Sequence, residues 1–262
     1  MSEIAGSHQR QTPCIKLDGD AGYVLDFLDK HFRSVFQPIC ALNGECFGYE
    51  ALLRVYDADG SAIRPDLFFK SIADNPALCL LLDQWSRELH FKNFQLLLSP
   101  CCLFVNVFPN TLVKEQVGNI HHHNPLVSQD PQQRVYIEVV EDDCEDLHAL
   151  MESAKDLRVR GYHIALDDFG SGFSDLHRAS HLSPDIIKID RSLLRAIDSC
   201  EKPLRHAISL AKELGALVVV EGVETEQELE LVKGIGVDFV QGFYIGMPTE
   251  MRLLLADIKV EA

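Results

Sequence analysis

His163-Ile-Ala-Leu-Asp167-Asp168-Phe-Gly170-Ser-Gly172 reads as a short apolar strand that ends in two adjacent carboxylates and a glycine-punctuated loop. A helical pattern near 174–181 follows, and Ile186-Ile-Lys188-Ile189 supplies the next strand. Strand, helix, strand is the unit of a parallel sheet, and it repeats outward in both directions. Strands are expected at 35–40, 47–54, 103–107, 135–140, 164–167, 186–189, 217–221 and 239–241. Helical patterns fall near 66–74, 77–97, 110–119, 144–159, 174–181, 191–214, 225–234 and 249–257. The first two strands flank Asn43-Gly44, a type I′ hairpin signal, so they should be antiparallel neighbours. Eight strands alternating with helices predict an α/β fold, a modified (β/α)8 TIM-like barrel with an antiparallel first strand. A doubly wound open sheet is the alternative. Residues 1–20 read as a polar lead-in and 21–262 as a single barrel domain, opening with a short amphipathic helix from Tyr23 to Phe32. The stretch 118–133, with His121-His122-His123, reads as a solvated loop, because adjacent side chains do not converge on a metal without special backbone geometry.

Composition narrows the partners. A formal net charge of −16 excludes wrapping a long nucleic acid, which draws its affinity from many Lys and Arg contacts to phosphate. The eight cysteines are scattered without CxxC spacing, so they read as reduced core thiols, and disulfides are not expected. The first residues lack the regions of a secretory signal, and no run reaches the roughly 18 apolar residues of a membrane span. A cytoplasmic location with no membrane segment in this chain is the expectation.

Each strand carries a polar group at or near its C-terminal end, where barrels of this class build their sites. These are Glu50, Asn106, Glu138, Asp167 with Asp168, Lys188, Glu221 and Gln241. Local explanations exist for some: Glu50 shares a strand face with Arg54, Asn106 precedes a turn, and Lys188 has Asp190 and Asp168 nearby. Jointly they point to a cluster. Neighbouring carboxylates at the mouth of a buried strand repel each other and lose hydration, so a multivalent cation or a proton is needed to neutralise them. Hard oxygen ligands without Cys or His favour Mg²⁺ or Mn²⁺. A pair of such ions about 4 Å apart can hold a phosphoryl oxygen and lower the pKa of a bridging water.

Glu50-Ala51-Leu52, within Gly48-Tyr-Glu-Ala-Leu-Leu-Arg54, resembles the signature of EAL domains, phosphodiesterases that linearise cyclic di-GMP. The likeness runs in order through Phe36-Gln37-Pro38-Ile39, Val105-Asn106-Val107, Glu138-Val-Val-Glu141, Asp167-Asp-Phe-Gly-Ser-Gly-Phe173, Lys188-Ile-Asp190, Val220-Glu221-Gly-Val-Glu224 and Gln241-Gly-Phe243, covering about residues 33–250. The resemblance implies two ions per site, Mg²⁺ or Mn²⁺. Glu50, Asn106, Glu138 and Asp167 would be ligands of the first, with Asp167 bridging to a second that Asp168 also holds. It implies Lys188 and Glu221 as catalytic residues, the lysine holding the attacking water and the glutamate acting as general base. Gln37, Arg54 and Gln241 would contact the dinucleotide, and Glu141 and Glu224 would support the loop after the Asp pair. A homodimer is implied by the same likeness. Hydrolysis of cyclic di-GMP to linear 5′-pGpG is the expected activity; a catalytically silent cyclic di-GMP receptor or protein-interaction module of the same fold is the alternative.

Overall fold

Apolar runs such as Val218-Val-Val220 and Ile186-Ile187 leave a strand no polar face, so they suit a parallel sheet covered on both sides. The computed structural model describes residues 13–97, 100–117, 134–140, 146–170, 175–196 and 201–261. In chain order its strands are β1 (Cys14–Leu17), β2 (Tyr23–Phe27), β3 (Lys30–Ala41), β4 (Cys46–Asp57), β5 (Ala62–Ile63), β6 (Cys102–Val107), β7 (Val135–Val139), β8 (His163–Phe169), β9 (Ile186–Ile189), β10 (Leu217–Val220), β11 (Phe239–Gln241) and β12 (Thr249–Glu250). The helices are α1 (Pro65–Ser71), α2 (Pro76–Leu96), α3 (Pro109–Val117), α4 (Leu147–Val159), α5 (Asp175–Leu182), α6 (Arg191–Arg195), α7 (Lys202–Glu213), α8 (Glu226–Lys233) and α9 (Met251–Glu261). The chain divides into two compact units, one of residues 36–52 and 97–249, the other of 1–35, 53–96 and 250–262.

In the first unit eight strands close into a barrel in the order β3, β11, β10, β9, β8, β7, β6, β4, and β3 pairs with β4 to complete the circle. Neighbours from β4 to β11 are parallel, whereas β3 runs antiparallel to β11. All eight expected strands are present, and the antiparallel first strand of the modified TIM-like barrel is β3. The β3–β4 turn differs from the type I′ expectation. Gly44 is left-handed at φ +89°, Asn43 is not, Gly44 N–H donates to Ala41 O at 2.9 Å and Ala41 N–H to Glu45 O at 2.8 Å. This is a type I turn with a glycine bulge, stabilised by Asn43 Oδ1 accepting from Glu45 N–H.

Inside the barrel lies an apolar layer of Ile39, Phe104, Tyr136, Ala165, Ile186 and Val219, with Cys102 beside it and Phe47 and Phe239 packed against it. Phe104 stacks on Tyr136 with centroids 4.5 Å apart, and Phe47 on Phe239 at 4.0 Å. Side chains alternate along a strand, so two residues further on the same inward face recurs. That step carries Phe104 to Asn106, Tyr136 to Glu138, Ala165 to Asp167, Ile186 to Lys188, Val219 to Glu221 and Phe239 to Gln241. On the reversed β3 the step runs backward, from Ile39 to Gln37. An apolar floor thereby supports a polar layer.

The second unit corrects the expected helix at 23–32. Tyr23–Phe27 is instead β2, which pairs antiparallel with β3 through a tight turn with Phe27 opposite Lys30. Leu28 and Asp29 occupy that turn, both left-handed at φ +51° and +54°. Tyr, Val and Phe suit a half-buried strand, and a turn on Leu-Asp lacks the Asn-Gly signal that would have announced it. Within the stretch read as a lead-in, β1 pairs antiparallel with β2. Leu25, Phe32, Val55, Phe68, Leu82 and Leu89 form this unit's core. Asn93 on α2 binds both backbone groups of Tyr23, accepting from its N–H at 2.7 Å and donating to its carbonyl at 2.9 Å. The single helix expected over 191–214 is two, α6 and α7. The loop with His121-His122-His123 lies outside the described residues. Among the described residues no helix is long and apolar enough to cross a membrane.

Candidate metal centre

Lys188, 1% exposed, projects from β9 into the polar layer. Its Nζ lies 2.7 Å from Glu221, 2.9 Å from Glu138, 3.0 Å from Asp167 and 3.2 Å from Glu50. Four carboxylates thus surround one ammonium, and their ionised forms would leave a surplus of three negative charges in a buried space. Burial alone would push the Lys188 ammonium toward neutrality, but the four carboxylates outweigh it and hold its pKa well above the ordinary lysine value. The carboxyls divide. Burial drives Glu138 well above the usual range, reinforced by Glu50 and only partly relieved by Lys188. Burial also raises Asp167, against the pull of Lys188. Glu221 is pushed up to about 8 by burial, with Lys188 opposing and Asp167 and Glu50 adding to the rise. Glu50 alone goes down: burial would raise it, but Lys188 and the amides of Gln241 and Asn106 more than compensate.

Those amides explain why Glu50 is the settled member. Asn106 Nδ2 donates to Glu50 Oε1 at 2.8 Å, and Gln241 Nε2 donates to Oε2 at 2.7 Å. Gln241 also approaches Gln37 Oε1 at 3.4 Å, and Gln37 Nε2 donates to the carbonyl of Gly246 at 3.1 Å. Gln241 is set by a close approach behind it, since a Cβ on Gly242 would lie 2.2 Å from Val223 O. Glu138, fully buried, is less settled: its Oε2 accepts no hydrogen bond. A buried carboxylate oxygen without a donor costs free energy unless a cation faces it.

The Asp pair solves a geometric problem. Successive residues of a regular strand face opposite sides, so Asp167 and Asp168 should diverge. On β8, however, Leu166 pairs with Ile187 and Phe169 with Ile189, three residues against two, a β-bulge. Asp168 takes the extra position at φ +53°, a left-handed conformation that Asp tolerates better than most residues. As a result oxygens of Asp167, Asp168 and Glu221 all lie within 4.8 Å of one another. Gly170, at φ +102°, lets the chain leave the bulge tightly: a Cβ there would meet Leu193 at 2.4 Å. The donor set fits hard divalent cations, because it offers clustered carboxylate oxygens, the unsatisfied Glu138 and, with its amide nitrogen engaged by Glu50, the carbonyl oxygen of Asn106.

Other expected residues fall differently. Arg54, on β4, belongs to the second unit, where its Nη1 donates to the carbonyl of Leu53 at 2.9 Å. Glu224 is exposed and pairs with Arg195 of α6 at 2.7 Å. Glu141 and residues 171–174 of the loop lie outside the described residues. The Gly246 carbonyl that orients Gln37, and the left-handed backbone of Asp168, had no residue-type signal beyond the Gly-Met-Pro sequence and the doubled Asp.

Similar proteins are known. The EAL domain family model matches residues 24–248. A probable cyclic di-GMP phosphodiesterase, PdeA of Escherichia coli (strain K12), is 32% identical over 228 residues, which are 81% of this chain and 30% of that protein. The cyclic di-GMP phosphodiesterase PdeF of the same strain is 29% identical over 236 residues, 87% of this chain and 31% of its own length. The chain thus spans about a third of these relatives. Among solved structures, the manganese and cyclic di-GMP complex of Klebsiella pneumoniae BlrP1 superposes with a TM-score of 0.68 at 25% identity, covering 92% of this chain and 59% of that one. The EAL enzyme Bd1971, bound to cAMP and cyclic di-GMP, gives a TM-score of 0.74 at 24% identity over 86% of this chain and 64% of its own, a likeness of fold. With the motif order, the reversed-strand barrel and the match over residues 24–248 in agreement, the chain belongs to the EAL domain family.

Proposed function

We propose that the chain is a metal-dependent phosphodiesterase that hydrolyses one 3′,5′ bond of cyclic di-GMP to give linear 5′-pGpG. The observation that carries this reading is the surplus of carboxylate around the buried Lys188, with Asp167, Asp168 and Glu221 oxygens drawn together by the β8 bulge. Relatives named cyclic di-GMP phosphodiesterases supply the substrate class. Glu50, Asn106, Glu138, Asp167 and Asp168 would hold two divalent cations, Mg²⁺ or Mn²⁺, with Asp167 shared. When bound, such cations would neutralise the phosphate and lower the pKa of the attacking water. Lys188 keeps its proton and donates to that water, fixing its direction of approach. Glu221, whose carboxylate stands beside those of Asp167 and Asp168, takes the water's proton as the oxygen attacks phosphorus. The P–O3′ bond breaks, leaving a 5′-phosphate and, after protonation, a 3′-hydroxyl. Gln37, Gln241 and Arg54 contact the dinucleotide, Arg54 by its forked donors on a phosphate. Glu141 and Glu224 support the loop beyond Gly170, the active form is a homodimer and the chain works in the cytoplasm.

The test is direct: purified chain, cyclic di-GMP and Mg²⁺ or Mn²⁺, with products separated by chromatography. Metal-dependent appearance of pGpG is expected. Tight binding of cyclic di-GMP without product in either metal would make the chain a receptor instead.

A further inference from the structure

The fold gathers cysteines that are far apart in sequence, at the end of the barrel strands opposite the polar layer. Cys40 closes β3, Cys46 opens β4 and Cys101 precedes β6. Because Ala41 faces both Gly44 and Glu45 across the glycine bulge, the next residues outward, Cys40 and Cys46, are directly opposed. They form a non-hydrogen-bonded antiparallel pair, in which Cα atoms stand about 4.5 Å apart and side chains project to the same side. That spacing falls inside the roughly 4.4–6.8 Å a disulfide requires. Cys40 is almost fully buried, whereas Cys46 and Cys101 are half-buried and, with Glu45, Phe47, Cys102 and Arg134, line a cavity of about 450 Å³. Cys101 Sγ lies 3.6 Å from the carbonyl of Cys46, and its thiol also faces the Cys46 thiol, so Cys101 is the competing partner that the test below separates.

We propose that Cys40 and Cys46 are a redox-active dithiol, closing to a cross-strand disulfide when a low-molecular-weight disulfide reaches Cys46 through this cavity. The Cys46 thiolate attacks one sulfur of glutathione disulfide and expels a glutathione thiolate. The Cys40 thiolate then attacks Cys46 Sγ of the mixed disulfide and expels the second. Two protein thiols lose two electrons and two protons, and one glutathione disulfide becomes two glutathiones. Access and not acidity sets the order, because Cys46 lines the cavity and Cys40 is buried. In the reduced pair the Cys46 thiol holds Cys40 below the ordinary thiol value despite burial, which marks a direct contact between the two side chains. Cys46 is drawn down by Cys101 but pushed up to about 11 by Cys40 and burial. First attack is therefore slow.

The reduced chain is equilibrated in glutathione buffers of rising disulfide content, quenched with acid and an alkylating agent, and mapped by mass spectrometry. The expected result is a Cys40–Cys46 linked peptide that becomes the major oxidised species before any other pair and is reversed by dithiothreitol. The Cys101→Ser chain should form it too, and Cys46→Ser should not. A bond from Cys46 to Cys101, or glutathione adducts on Cys46 with Cys40 still alkylated, would overturn the proposal.

Discussion

At the residue scale the telling contrast is between Glu50 and Glu221, two carboxyls on the same ammonium. Glu50 accepts two side-chain amides besides Lys188 and is pulled below its ordinary value; Glu221 is pushed up to about 8. The first is therefore suited to remain ionised and hold a cation, the second to exchange a proton. Changing Glu221 to Gln keeps the shape and removes the base. The expected outcome is a fall in turnover of about 10²–10⁴-fold, the usual share of a positioned general base. Titration calorimetry with cyclic di-GMP and Ca²⁺ should find affinity changed by less than about fivefold. Equal losses in binding and turnover would move Glu221 from base to ligand.

At the scale of elements, the bulge in β8 does what no residue type could. It turns a strand's alternating faces into a single side for two consecutive carboxylates, and places Asp168 at a backbone conformation that costs about 1 kcal/mol for most L residues. Asp168→Gly should relieve that strain and one like-charge repulsion while removing a ligand. Without metal it is expected to be no less stable than the parent in urea unfolding, yet to bind Mn²⁺ at least tenfold more weakly. A destabilised variant with undiminished Mn²⁺ affinity would show that the bulge serves the strand and not the cation. The same element marks the limit of what the sequence discloses. The eight barrel strands were legible because parallel strands buried on both faces are nearly continuous apolar runs, and the polar residues at their ends stood out against that background. The bulge was not, since one extra residue in a register leaves no compositional trace. The β2–β3 hairpin was missed for a related reason: Leu28-Asp29 makes a turn that its side chains disfavour, held by the buried packing of Leu25 and Phe32.

For the molecule as a whole, the shifted carboxyls link folding to pH and to metal. Between about pH 4.5 and 8 the folded, metal-free chain holds protons, notably on Glu221, that the unfolded chain has released, so stability falls as pH rises through this window. Glu50, shifted the other way, contributes stability that is lost only on the acid side, as pH falls through its depressed value. Divalent cations bound there would replace those protons. Thermal unfolding should therefore show a midpoint that declines from pH 5.5 to 8 in chelator, and a Mg²⁺ or Mn²⁺ gain that is larger at pH 8 than at 5.5. A gain independent of pH would dissociate the cation from these carboxyls. The groups gathered on Lys188 also stand far apart along the chain, at 50, 138 and 167 on three strands and at 221 just past the end of β10. Glu138 and Asp167 sit on adjacent strands, but Glu50 and Glu221 join them only when the barrel is nearly closed, so most of the mutual repulsion burdens a late step of folding. A cation bound there holds a door that is shut late: its effect falls on how slowly the chain opens, and hardly on how quickly it first collapses.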